Sequence, residues 1–264
     1  MTDRETNYEK IRETHQIENA RQRKLKRRRV SYLLLTFLII SSFLYLCYRY
    51  LFLVVTVEYV GNSYYSSEEL SSVLGVSEGH RLFSYSKSEK EQLLLDSFPF
   101  LETCEIKRTV PDKITVTVTE RKPIMFTFVS DKYVVFDKEM FVVEITKEKP
   151  LGLLEVRFEN SLLQKCVLGE EILFEDVKNG VGLYRVYSAL SSSPVMEKTE
   201  YITVKSRFDY YIQYGNSFNV YLGDSTECSA KLLFLCGIID ELPSESKGTI
   251  DVSNPSEGYF KEEG

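Results

Sequence analysis

Residues 98–123 read FPFLETCEIKRTVPDKITVTVTERKP, and this stretch decides the fold of the first folded region. Phe98-Pro99 ends a helical segment, because the residue before a proline is disfavoured in the helical conformation. The proline directs the chain into an extended segment over Leu101–Val110, and Pro111–Lys113 is predicted as a turn. Ile114–Glu120 then alternates apolar and polar side chains with the period of a strand. The stretch therefore predicts two consecutive strands joined by a turn.

The segment upstream of this stretch completes a small mixed domain. A β-branched run over Val54–Val60 predicts a strand, which Gly61-Asn62 ends. Two helices are predicted next, because capping serines and acidic residues precede apolar residues at helical spacing. Their boundaries are Ser66 or Ser67 and Gly75 for the first helix, and Ser86 or Ser88 for the start of the second. Residues 54–123 are therefore predicted to fold in the order β-α-α-β-β.

Before this domain lies an uncharged apolar run, Val30–Tyr48, which reads VSYLLLTFLIISSFLYLCY. As a helix it is about 28 Å long, close to the thickness of a bilayer hydrocarbon core. A basic cluster precedes it and consists of Arg21, Arg23, Lys24, Lys26, Arg27, Arg28 and Arg29. Because basic residues favour the cytoplasmic side, residues 1–29 are predicted to be a cytoplasmic tail and residues 30–50 a transmembrane helix. The rest of the chain is then extracytoplasmic.

Two other interpretations of the N-terminal segment are weaker. A cleaved signal peptide has a shorter apolar core followed by a small-residue cleavage site, whereas here no Ala occurs between Ala20 and Ala189. A nucleic-acid-binding segment is the second possibility, but the basic run directly precedes the apolar span and contains no aromatic residues. The sequence therefore predicts an uncleaved single-pass anchor in the cell membrane and no nucleic-acid partner.

Composition argues against catalysis. Residues 1–30 carry a net charge of +5 and residues 31–264 a net charge of −11, and the only histidines are His15 and His80. The chain contains no G-x-S-x-G nucleophile motif and no Gly-rich phosphate loop. Its acidic pairs fall at helix ends, turns and polar faces, where charge is expected without any chemistry. We predict that the protein is not an enzyme and uses no cofactor, metal or small-molecule substrate.

The cysteine pattern indicates neither a zinc site nor a redox pair, because no C-x-x-C occurs. Cys47 lies in the apolar span, and Cys228 and Cys236 would be about 12 Å apart along one helix, beyond the reach of a disulfide. Buried free thiols are favoured. The sequence does not determine the redox state of Cys104, Cys166, Cys228 or Cys236.

Residues 124–258 predict a second mixed domain with an antiparallel-rich sheet, followed by a short tail over 259–264. Two turn-forming stretches mark hairpins, and two longer apolar segments mark helices. The predicted elements are a hairpin over 133–142, a helix over 176–190, a strand over 201–204, a hairpin over 210–222 that turns at Gly215-Asn216, a helix over 226–242 and a last strand over 248–253.

Several of these motifs, in this order after one apolar span, resemble a POTRA (polypeptide-transport-associated) domain and, more narrowly, the FtsQ/DivIB cell-division family. In the first domain they are Val57-x-x-Val60-Gly61-Asn62, Ser67-Glu68-Glu69-Leu70, Gly79-x-x-Leu82-Phe83, Phe98-Pro99-Phe100-Leu101, Arg108-x-x-Pro111 and Val118-x-Glu120-Arg121-x-Pro123. In the second they are the Asp137 hairpin, Lys231-Leu232 and Ile250-Asp251-Val252. One departure is the hairpin, where the family usually has Asp-x-x-Gly and this chain has no Gly.

The resemblance implies an α+β protein and a bitopic scaffold of the division machinery, enriched at the septum. Such a scaffold binds single-pass coiled-coil partners of the FtsB/DivIC and FtsL types and helps regulate septal peptidoglycan synthesis. The family binds partners at a C-terminal edge strand of the second domain, by β-strand addition. In this chain the matching residues are Ile250, Asp251, Val252, Ser253 and Asn254. The alternative is that Tyr259-Phe260 covers this strand.

Two other functions are left open. A membrane-anchored POTRA module for protein export or envelope assembly is one, although the chain lacks the alternating strands of a C-terminal membrane barrel. A cell-wall enzyme with an unrecognised site is the other.

Overall fold

In a computed structural model, residues 2–159, 162–176, 178–243 and 245–262 are described, with side chains from residue 24 onward. The predicted topology residues Arg21 and Arg23 lie outside the described side chains, as do residues 263–264 of the predicted tail. The mixed α+β architecture confirms the predicted fold class. The helices are α1 (Thr2–Tyr50), α2 (Ser67–Leu74), α3 (Lys87–Ser97), α4 (Lys178–Ser191), α5 (Cys228–Glu241) and a 3₁₀ helix over Pro194–Lys198.

The first helix contains the predicted membrane anchor. Its segment Lys24–Tyr50 is long and apolar enough to cross a bilayer, and the most apolar 18-residue window in it has a mean hydropathy of 2.1 and no buried residue. This segment includes the predicted span over residues 30–50. At its start the side chains of Lys24, Lys26 and residues 27–29 are exposed.

The predicted N-cap and C-cap of α2 are both present. The Ser66 hydroxyl accepts a hydrogen bond from the Glu69 N–H, and the Glu69 carboxylate accepts one from the Ser66 N–H, which together form a capping box. This lowers the pKa of Glu69, because its ionised form accepts the bond. Gly75 ends the helix in the left-handed conformation.

The strands are β1 (Thr56–Val60), β2 (Leu101–Thr109), β3 (Lys113–Glu120), β4 (Met125–Val129), β5 (Lys132–Phe136), β6 (Val142–Thr146), β7 (Leu154–Phe158), β8 (Leu163–Lys165), β9 (Leu173–Phe174), β10 (Thr199–Ser206), β11 (Asp209–Tyr214), β12 (Phe218–Gly223), β13 (Gly248–Asn254) and β14 (Glu257–Glu262). The first three form a sheet in the order β1-β3-β2, which with α2 and α3 gives the predicted β-α-α-β-β sequence of elements.

The Val-x-Glu motif at the end of this region contacts the turn that follows β1. The Glu120 carboxylate accepts hydrogen bonds of 2.9 Å from the N–H groups of Ser63 and Tyr64. Gly61 lies against the Val118 carbonyl, where any Cβ atom would collide with the backbone. The Gly-Asn and Val-x-Glu motifs therefore meet in space.

The chain divides into two compact units, one of Met1–Glu58, Val76–Ser86 and Ile106–Thr115, and one of Tyr59–Gly75, Lys87–Glu105 and Val116–Gly264. The predicted boundary between residues 123 and 124 remains a prediction.

Within the described residues, nine strands form one large sheet in the order β14-β13-β12-β11-β10-β7-β4-β5-β6. Five neighbouring pairs are antiparallel and three are parallel, which agrees with the predicted antiparallel-rich sheet. The main core includes residues of α4 and α5 together with alternate residues of the strands, such as Leu183, Leu235 and Val220. A second cluster joins Phe100 to Phe126, Val135 and Val143.

Two features differ from the sequence predictions. Strand β14 (Glu257–Glu262) includes residues 259–262 of the predicted tail, so the sheet extends beyond residue 258. In the β5–β6 hairpin Met140 occupies the left-handed conformation at φ 62°, in the place where the family has Gly. The turn is therefore kept without the glycine, because the Asp137 carboxylate accepts hydrogen bonds from the N–H groups of Glu139 and Phe141.

Candidate partner-binding edge

The five residues predicted to bind a partner all lie in β13. Ile250 and Val252 are buried in the main core, Asp251 and Ser253 are half-buried on the opposite face, and Asn254 is exposed. The expected alternation of faces is therefore present. It arises because successive side chains in a strand point to opposite sides of the sheet.

The sequence prediction that this strand is the sheet edge is wrong. Strand β13 pairs in parallel with β12 and antiparallel with β14, so it has a neighbour on both sides. The Gly248 N–H donates to the Ser217 carbonyl beside β12. Because main-chain groups alternate in direction along a strand, Ile250 also faces β12, while Asp251 faces β14.

Ser253 does not offer a free donor either. Its N–H donates to Oδ1 of Asp251 at 2.9 Å, and the pairing with β14 shifts between Asp251 and Asn254. A proline at position 253 would therefore not remove a partner-facing N–H. The alternation of side chains alone could not show that the Ser253 N–H is bonded to the Asp251 side chain rather than to a neighbouring strand.

The edge strand on this side of the sheet is β14. Its register on β13 pairs Lys261 with Thr249, Phe260 with Ile250 and Tyr259 with Asp251. Since Thr249 directs its main-chain groups toward β14, Lys261 bonds back to it, and the N–H and C=O of Phe260 point away from the sheet. Among the described residues no strand pairs with that outer side. It is the kind of open edge that an added strand recognises.

Side-chain packing holds β14 in place. Gly258 lies so close to α5 that a Cβ atom would be 2.6 Å from Ile238 and 2.7 Å from Phe234. The ring of Phe260 lies 6.1 Å from that of Phe218, edge to face. The sequence signal for this strand was the alternation of Tyr259 and Lys261 with Phe260, which a six-residue segment presents only weakly.

A row of side chains crosses the outer face and ends at this edge. Tyr211 lies opposite Tyr221, Tyr221 opposite Asp251, and Asp251 opposite Tyr259. The Tyr221 hydroxyl donates to Asp209 at 2.9 Å. Burial, followed by this bond to a carboxylate, raises the pKa of Tyr221 to about 12, so the hydroxyl stays protonated. Tyr259, at the end of the row, is 65% exposed.

The groups that could support covalent chemistry are a histidine and the cysteines. His80 is exposed in a loop, where its Nδ1 contacts the Ser77 hydroxyl at 3.1 Å. Burial raises the pKa of the Cys104 thiol to about 11 and raises that of Cys166 and Cys228, which disfavours the reactive thiolate. In the described chain the cysteines are unpaired, and no three His, Cys, Asp or Glu side chains are grouped to hold a metal ion.

Comparison with known proteins agrees with the resemblance seen in the motifs. The FtsQ-type POTRA domain matches residues 52–121. The cell division protein DivIB of Clostridium botulinum strain Hall is 25% identical over 246 residues, which are 90% of this chain and 93% of that protein. The cell division protein FtsQ of Streptomyces griseus is 28% identical over 205 residues, 76% of this chain and 94% of that protein. FtsQ of Koribacter versatilis is 28% identical over 90 residues, 34% of this chain and 26% of that protein.

The similarity to the DivIB protein covers 90% of this chain and therefore extends well beyond the POTRA region. Together with the N-terminal apolar helix and the ordered motifs, these similarities show that the chain contains an FtsQ-type POTRA domain and is similar over most of its length to cell-division proteins named DivIB and FtsQ.

Proposed function

We propose that this protein is a bitopic scaffold of the division machinery that binds FtsB/DivIC- and FtsL-type partners and helps regulate septal peptidoglycan synthesis. The observation that carries the proposal is the open edge of β14, in a chain related along 90% of its length to a division protein. In this proposal the protein acts by binding rather than by catalysis.

Strand β14 offers what β-strand addition needs. Its outward main-chain groups provide the hydrogen bonds, and the exposed Tyr259 beside them provides a side-chain contact that discriminates between partners. Charged residues at positions 257, 261 and 262 protect the edge from unspecific pairing, as charges do on the edge strands of natural sheets.

The proposed topology follows from the basic cluster before the apolar span. Residues 1–29 lie in the cytoplasm and the folded region outside, because basic flanks remain on the cytoplasmic side. Protease added to intact protoplasts should digest the C-terminal region and leave a small membrane-held fragment. Protection of that region would mean that the orientation is inverted.

A proline at position 260 tests the binding edge. Phe260→Pro removes an outward N–H, and proline is tolerated on an edge strand where the N–H faces solvent. Phe260→Ala removes the same ring but keeps the donor, so it is the matched control. Titration with the extracytoplasmic part of the DivIC-type partner should show a loss of binding for the proline variant and a much smaller loss for the alanine variant. Thermal melts of both variants verify folding.

Equal binding by the two folded variants would move the interface away from β14. The role in division has its own test, a fluorescent fusion observed in dividing cells. A midcell band is expected, and a uniform envelope signal would remove the division role itself.

A further inference from the structure

The end of α1 is fastened directly to the loop over residues 79–82. Helix α1 ends at Tyr50, and the Phe52 carbonyl already accepts a hydrogen bond of 2.9 Å from the Leu82 N–H. Leu53 bridges to Arg81, and the Val54 N–H donates to the His80 carbonyl at 2.8 Å. The helix and this loop are therefore joined without a flexible linker.

A second segment joins the same assembly. The Val55 N–H donates to the Asp112 carbonyl at 2.8 Å, which ties the turn after β2 to the exit of the helix. Arg108 donates to the Tyr85 carbonyl at 2.6 Å, and its guanidinium lies 4.5 Å from the Tyr85 ring and 5.7 Å from the Phe83 ring. We call residues 51–55, 79–85 and 108–112 the juxtamembrane cluster.

The cluster exposes apolar side chains. Phe83 is 47% exposed and Val110 59% exposed, and Leu51 and Val55 are similarly open. Exposed apolar area is unfavourable in water, at about 25 cal/mol per Å². At the boundary between headgroups and acyl chains, the same area is stabilised.

The sign of the net charge of this region is opposite to that of residues 31–264 taken together. Residues 49–58, 76–86 and 106–115 contain five basic and three acidic residues, whereas residues 31–264 together carry a net charge of −11. Lys113 pairs with Glu58 at 2.8 Å. The guanidinium of Arg81 lies 5.7 Å from the Tyr48 ring at the end of the apolar run, at the level where headgroup phosphates lie beside a spanning helix.

We propose that the juxtamembrane cluster lies in the headgroup layer of the bilayer that α1 spans, with Phe83 and Val110 at the acyl boundary and Arg81 at anionic phospholipid headgroups. The three Cα–Cα steps from Tyr50 to Leu53 reach at most about 11 Å, so the cluster cannot move far from the end of the helix. The inference rests on the proposed membrane anchor and adds a lipid-binding surface to it.

The chain contains no Trp, so a single introduced Trp reports its own surroundings. Full-length Phe83→Trp and Val110→Trp variants would be reconstituted in vesicles of equal parts phosphatidylglycerol and phosphatidylcholine, with and without bromine on the acyl chains. Phe37→Trp, in the middle of the apolar run, is the positive control, and Phe208→Trp, in the turn between β10 and β11, is the soluble-domain control.

Bromine should quench the indoles at positions 83 and 110 and leave the indole at 208 unchanged. Quenching at 37 with none at 83 and 110 would overturn the docking inference while the anchor stands, and would indicate that a protein partner or solvent faces the cluster. Absence of quenching at 37 would instead contradict the membrane anchor. The two failures are therefore distinguishable.

The headgroup contribution has a separate comparison. Arg81→Gln in the Phe83→Trp background should reduce quenching in the mixed vesicles, and the exposed Lys132→Gln change should not. Vesicles of phosphatidylcholine alone should also quench the indole at position 83 less. Equal quenching in both lipids and both charge variants would show that anionic headgroups are not recognised.

Discussion

Arg121 and Asp137 form an ion pair of 2.7 Å that joins the last residue of the POTRA match to the turn after β5. The side chains are only 12% and 3% exposed. The guanidinium of Arg121 also lies 3.8 Å from the centre of the Phe141 ring. The Asp137 carboxylate accepts two main-chain hydrogen bonds as well, so its negative charge is compensated by both the guanidinium and the turn.

Removal of one partner of this pair should be costly. Arg121→Ala is expected to lower the free energy of unfolding by about 3 kcal/mol, because it leaves the buried Asp137 carboxylate without its cation. Asp137→Ala should also be destabilising, because it removes the acceptor of two main-chain N–H groups and leaves Arg121 paired only with Glu139, at 3.2 Å. The double variant should lose less than the sum, since it leaves no unpaired charge. Urea denaturation of the full chain in detergent measures this. Lys138→Ala, at an exposed pair with Glu102, is the control and should change the stability by less than about 1 kcal/mol.

A second ion pair has one buried member and one exposed member. We therefore expect truncation of the two side chains to change the free energy of unfolding by different amounts. Lys231 on α5 is 3% exposed and donates to both the carbonyl and the carboxylate of Asp224, which is 42% exposed. Asp224→Ala leaves the buried Lys231 ammonium without its carboxylate partner, whereas Lys231→Met leaves a carboxylate that water can reach. We expect the first change to be the more destabilising by about 1–2 kcal/mol in the same denaturation assay. The reverse order would show that Lys231 is not a buried cation in solution.

The same carboxylate gives a pH prediction. The Thr226 hydroxyl, at 2.6 Å, is the main cause that lowers the pKa of Asp224 to about 2, with the Thr226 N–H and Lys231 adding to it. A pKa lowered in the folded state contributes stability above the unfolded value of about 4, and this is lost as the pH falls toward 2. Thr226→Val should therefore raise the pKa of Asp224, which a carboxylate NMR titration detects. An unchanged titration would assign the shift to Lys231 instead.

Met140 lies in a left-handed conformation that costs a non-glycine residue about 1–2 kcal/mol. Its side chain is 5% exposed and packs in the main core beside Gly180 of α4, and such a side chain is worth about 2–5 kcal/mol when removed. Met140→Gly should therefore be destabilising by about 1–3 kcal/mol, although it restores the family's turn residue. Met140→Leu keeps the volume and should cost less. A more stable glycine variant would show that backbone strain outweighs burial here.

Local signals along the chain were sufficient for most elements. The uncharged run before residue 50, the capping box at Ser66, the Gly215-Asn216 turn and the alternation over Ile114–Glu120 each specify their own structure, because caps, turns and side-chain periods depend on residues close in sequence. The family could be recognised in the same way, since its motifs keep their order and spacing.

Local signals did not indicate which strand forms the edge of the sheet. The alternation of Ile250 and Val252 correctly placed the buried face of β13, but alternation carries no information about which strand lies beside it. That depends on pairing between β13 and β14 and on the space that Gly258 leaves beside Phe234 and Ile238 of α5. The sequence by itself determined the long apolar helix, most of the other elements and the resemblance to the FtsQ/DivIB proteins. Only the tertiary structure decided that β14 carries the open main-chain groups, because β14 is held at the edge by packing against α5, a contact that the local pattern of residues 257–262 does not reveal.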